Sequence, residues 1–91
     1  MPRILLVDDS NSARALLGMK LRERGHEVVD VGDAAKAAEL ALASPPECVI
    51  TDLWMPGVSG LQLCRLLRSE QATAHVNVAS SPARPNERQL D

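Results

Sequence analysis

Two apolar runs that each stop at aspartate constrain this chain more than any other feature of its sequence. Ile4, Leu5, Leu6 and Val7 lead directly into Asp8 and Asp9, and Cys48, Val49 and Ile50 lead through Thr51 into Asp52. Each run is too short for a helix and lacks polar alternation, which is the pattern of a strand covered on both faces in a parallel sheet. The segments between them carry a different period. Ser10 or Asn11 can cap a first helix in which Ala13, Leu17 and Leu21 recur at helical spacing, with Arg14, Lys20 and Arg24 at polar positions and Gly25 closing it. Residues 27–31 form a second short strand, and Asp33 precedes an alanine-rich helix over residues 34–43 that Ser44, Pro45 and Pro46 end. A turn-rich stretch over residues 55–60 gives way to a third helix over residues 61–70, with Leu63, Cys64 and Leu67 on one face. Residues 76–79 make a short fourth strand before Ser80, Ser81 and Pro82. Alternation of this kind with short connections implies right-handed crossovers and an α/β sheet with helices on both faces. No internal repeat is present.

Size and charge narrow the function classes. Ninety-one residues make one domain with a thin stability margin. The net charge of -2 and the dispersed basic residues give no field for nucleic acid, so direct DNA binding is not expected. No apolar stretch reaches the length of a membrane span, and residues 1–3 lead straight into a strand without signal-peptide organisation, so a cytoplasmic protein off the membrane is expected. Cys48 and Cys64 sit in apolar runs and are read as small buried hydrophobes; His26 and His75 are read as surface residues, and Trp54 as a packing residue beside the acids.

The chemistry lies at the strand ends. In a doubly wound sheet, ligands gather outside the carboxyl ends of the strands. Asp8, Asp9 and Asp52 fall there, and adjacency of the first and third strands would bring them within a few ångströms. A lone strand-end Asp is more often a helix cap or a solvated turn. Three together repel, at a cost of about 4 kcal/mol per pair at ~4 Å and an effective dielectric near 20, so a compensating charge is required. A hard divalent cation, Mg²⁺, suits an all-carboxylate site. It would also offset charge on a phosphoryl group approached by a carboxylate.

The two blocks that carry these acids, Ile4-Leu5-Leu6-Val7-Asp8-Asp9-Ser10 and Val49-Ile50-Thr51-Asp52-Leu53-Trp54-Met55-Pro56 with Gly60 eight residues beyond Asp52, resemble the signatures of CheY-like response-regulator receiver domains of two-component signalling. The resemblance implies a flavodoxin-like parallel sheet in strand order 2-1-3-4. It implies Asp52 as the aspartyl-phosphate nucleophile and Asp9 as a direct Mg²⁺ ligand. Asp8 becomes a nearby acid acting largely through water, and the main-chain carbonyl of Trp54 a further ligand. Met55 and Pro56 shape the loop, and Gly60 allows a close approach at the third helix. The implied partner is a histidine kinase or phosphotransfer protein in a phosphorelay. The implied activity is not that of a conventional enzyme: at most Mg²⁺-dependent self-phosphorylation and dephosphorylation at Asp52.

The resemblance covers about residues 3–78. A partial receiver over residues 1–79 is expected, with an irregular or disordered tail over 80–91. It holds about four strands and three helices, without the fifth strand and last two helices. The family's hydroxyl residue after strand four aligns with Pro82, leaving Ser81 as an adjacent substitute, and its strand-five lysine has no counterpart. A truncated or altered fold of this kind would bare apolar surface, so a homodimer through an exposed sheet edge or uncovered face is expected. The alternative function is a non-catalytic dimerisation or interaction module with a vestigial acidic pocket. A metal-dependent phosphatase is a third reading, which Trp54 opposes by standing where a second acid is required.

Overall fold

Local capping starts each of the three helices among the described residues. Ser10 accepts a hydrogen bond from the amide of Ala13 at 3.3 Å, Asp33 from Lys36 at 2.7 Å, and Ser59 forms a reciprocal capping box with Gln62. The structure, a computed structural model, describes residues 3–52 and 59–81. Within them the chain runs β1 (Arg3–Val7), α1 (Asn11–Glu23), β2 (Glu27–Val31), α2 (Ala34–Ala43), β3 (Cys48–Asp52), α3 (Gly60–Ser69) and β4 (Asn77–Ser81). Gly25 closes the turn after α1 with φ 91°, a left-handed conformation that side chains disfavour.

The strands form one parallel sheet in the order β2-β1-β3-β4. This is the flavodoxin-like order expected from the sequence. Side chains alternate across it. Leu5, Val7 and Val49 point to one face and pack with Ala37 and Ala41 of α2 and Leu63 and Leu67 of α3. Ile4, Leu6 and Val28 point to the other, where Leu21 of α1 covers part of it. Both faces of β1 are therefore apolar, which explains its unbroken hydrophobic run. The alanines of α2 let the helix lie close to the sheet: Ala34, Ala37 and Ala41 are fully enclosed.

The first strand starts one residue earlier than the sequence reading and the third helix is displaced by one residue, but the larger difference is at the fourth strand. The fourth strand is Asn77–Ser81 instead of residues 76–79, because pairing is a backbone property and β3 offers partners as far as Ser81. The expected break after residue 79 falls inside this strand. Val76 stays buried just before it, its amide donating to the Thr73 carbonyl. Within the expected tail, residues 82–91 lie outside the described residues.

Cys48 and Cys64 are free, half-buried thiols, Cys48 packed against Ile4, Leu6 and Val28, and burial pushes both up from the usual thiol range. The core is small, so each large side chain in it weighs heavily. Leu67→Ala removes a fully buried leucine and is expected to cost about 2–5 kcal/mol in urea unfolding. Leu61→Ala, at a half-exposed position of the same helix, is expected to stay within about 0.5 kcal/mol.

Candidate functional site

Register places the acids. Because β1 and β3 are neighbours with Val7 opposite Thr51, the chain leaves β1 at Asp8 level with Asp52, the last residue of β3. One carboxylate oxygen from each of Asp8, Asp9 and Asp52 lies within 4.8 Å of the other two. Asp52 is 1% exposed, while Asp8 is half-buried and Asp9 is exposed to solvent. Three ionised carboxylates at this spacing repel by about 3 kcal/mol per pair at an effective dielectric near 20. The set consists of hard oxygen donors and fits a hard divalent cation by its chemistry.

The turn after β1 is tied down at several points. The Asp8 amide donates to the Val31 carbonyl at 3.2 Å, and the Ser10 amide donates to the Asp8 carboxylate at 2.9 Å. On β3, the Thr51 hydroxyl donates to the Asp52 carbonyl at 3.1 Å, so this buried polar residue is satisfied. A cavity of about 240 Å³ opens beside α1, walled by Asp8 and Asp52, with Lys20 at its side and Leu16, Leu17 and Ile50 as apolar lining.

Of the remaining residues singled out from the sequence, Ser81 stands opposite Asp52 in the β3–β4 ladder. Gly60 is buried at the start of α3. Trp54, Met55, Pro56 and Pro82 lie outside the described residues. His26 precedes β2 and His75 precedes β4, so both sit at the opposite end of the sheet from the acids. Arg14 is a contributor the sequence reading did not single out: its guanidinium donates to the Asp8 carbonyl at 2.8 Å. Helical periodicity showed it only as a polar position, and the sign that could have found it is its place one turn beyond the acid pair.

The sequence matches the response regulator receiver domain family over residues 4–89. It is similar to the DNA-binding dual master transcriptional regulator RpaA of Synechocystis sp., with 35% identity over 78 residues, covering 86% of this chain and 32% of RpaA. It is also similar to the sensor histidine kinase TmoS of Ectopseudomonas mendocina, with 36% identity over 87 residues, covering 96% of this chain and 9% of TmoS. The chain thus spans about a third or less of the length of these two relatives. Among solved structures, a response regulator from Desulfuromonas acetoxidans shares 33% identity at a TM-score of 0.77, covering 99% of this chain and 76% of that one.

Proposed function

The chain belongs to the response regulator receiver family of two-component signalling, and from that premise we propose that it accepts a phosphoryl group on Asp52 from a histidine kinase or phosphotransfer protein, with Mg²⁺ held by the acid cluster. The observation that carries this reading is the convergence of Asp8, Asp9 and Asp52 at the carboxyl ends of two adjacent parallel strands. In the transfer, an Asp52 carboxylate oxygen forms a new bond to phosphorus as the phosphorus–nitrogen bond of the partner's phosphohistidine breaks. The departing imidazole takes up a proton from solvent.

Each residue has a part in that step. Asp52 is fixed at a strand end, so its carboxylate is presented without the entropy loss of ordering a loop. Asp9 is proposed as a direct ligand and Asp8 as an acid that acts largely through water. The main-chain carbonyl of Trp54 is carried into the ligand set from the family resemblance. Bound Mg²⁺ supplies positive charge that offsets the cluster's own repulsion and that of the incoming phosphoryl oxygens. Ser81, level with Asp52 in the ladder, is the candidate hydroxyl for phosphoryl contact. On this reading the protein is a signalling acceptor whose chemistry is confined to gain and loss of phosphate at Asp52.

The setting is proposed as cytoplasmic, where two free thiols persist. Among the described residues no helix is long and apolar enough to cross a membrane. Direct contact with nucleic acid is not part of the proposal, given the net charge of -2. A second reading, self-association as a twofold homodimer, is favoured by the exposure of Leu16, Leu17 and Met19 along α1.

Incubation with a small phosphoryl donor such as acetyl phosphate and Mg²⁺ is expected to add the mass of one phosphoryl group to the wild type and none to Asp52→Asn. An equal gain in both, or none in either, contradicts the reading. Sedimentation at micromolar concentration is expected to show a dimer, and a well-folded species that stays monomeric contradicts the second.

A further inference from the structure

The turn that carries Asp8 and Asp9 is short, yet both backbone groups of Asp8 are hydrogen-bonded. Arg14, on the first turns of α1, does much of this. All three of its terminal nitrogens are engaged with separate segments: Nε donates to the Asp30 carboxylate at 3.0 Å, Nη1 to the Asp8 carbonyl at 2.8 Å, and Nη2 to the Asn11 side-chain oxygen at 2.9 Å. The side chain is 19% exposed. Asp30 is itself held from a second direction by Arg22 at 3.3 Å.

The carbonyl that Arg14 holds belongs to the peptide joining Asp8 to Asp9. That unit is planar, so fixing its oxygen fixes the direction in which the Asp9 Cα leaves. With the Asp8 amide bonded to the Val31 carbonyl, the Asp8 residue is gripped at both backbone groups. The geometry points to Arg14 as the positioning residue of the acid cluster: its guanidinium ties the Asp8–Asp9 peptide to β2 and so sets where the Asp9 carboxylate stands relative to Asp52.

Gly32 supports this independently. Its φ is not left-handed, so backbone conformation does not require glycine there. A Cβ at Gly32 would meet Arg14 Nη1 at 3.0 Å, tighter than ordinary contact, so the guanidinium would have to give by a few tenths of an ångström. The bare position is explained by the space the fork occupies. Lysine cannot substitute, because a single ammonium on a flexible stem does not span three acceptors in a fixed plane. Arg22 provides the comparison: it shares Asp30 and the same helix but bonds the Val28 carbonyl where Arg14 bonds the Asp8 carbonyl.

This inference rests on the acid cluster binding Mg²⁺ for its functional consequence, while its structural content stands apart from the metal. The test uses the full chain and the variants Arg14→Ala, Arg14→Lys, Gly32→Ala and Arg22→Ala. Two quantities are read: amide hydrogen exchange at Asp8 and Ser10 without metal, and affinity for Mg²⁺ by calorimetry. Loss of the Arg14 fork is expected to speed exchange at those two amides and to weaken Mg²⁺ binding by about 10-fold or more, the usual scale for groups that orient a ligand. Arg14→Lys fails to rescue, Gly32→Ala shifts both in the same direction by less, and Arg22→Ala leaves both near wild type.

Wild-type exchange and affinity in folded Arg14→Lys and Gly32→Ala overturn the inference, whether or not Arg14→Ala folds. So does an Arg22→Ala variant that matches the Arg14 variants, since the effect would then be general to the helix. If the wild type itself binds no Mg²⁺, the proposed function fails, and the exchange rates alone decide the positioning role.

Discussion

Mutual repulsion of three carboxylates is the constraint around which this structure is organised. Asp8, Asp9 and Asp52 are gathered within 4.8 Å at one end of the sheet, and nothing in their own chemistry would bring them there. What holds them is apolar burial below. Leu5, Val7 and Val49 are locked into a core with α2 and α3, and β1 and β3 are bound along four paired positions. The unfavourable cluster is carried on the buried, paired strands of the core, and local conflict persists where the surrounding packing over-determines it.

Rigidity below and restraint above complement each other. Strand pairing fixes Asp52, which ends β3, but Asp8 and Asp9 lie just past β1 and depend on turn contacts. Those contacts come from three directions: the Val31 carbonyl at the end of β2, the Ser10 amide at the cap of α1, and the Arg14 guanidinium from the helix itself. The same Ser10 that starts α1 therefore also orients an acid. Helix initiation and site geometry thus meet at one residue, the cap through its hydroxyl and the acid through its backbone amide.

Much of this was legible in the sequence. The runs over residues 4–7 and 48–50 are too short and too uniformly apolar for anything but covered strands, and their termination at aspartate marks where the acids cluster. Capping by Ser10 and Asp33, closure at Gly25 and the alanine face of α2 followed from local physics that tertiary structure did not override. The end of β4 was not legible, because Ser80 and Ser81 carry turn propensity while the ladder with β3 depends only on backbone groups. Arg14 and Gly32 were silent for a related reason: their link is a contact between segments well apart in sequence, and periodicity reports faces, not partners.

Family membership places the chain among receiver domains of two-component signalling, and the geometry gathers its acids at this end of the sheet. The account stands on the three acids forming one cation site. Adding Mn²⁺ in substoichiometric amounts to the ¹⁵N-labelled protein and following paramagnetic broadening of the backbone amides tests it most directly. The account predicts that signals of residues 7–10 and 51–52 fade first, while those at the opposite end, such as Arg3, Glu27 and Glu47, persist. Uniform broadening, or loss beginning at that opposite end, would contradict it.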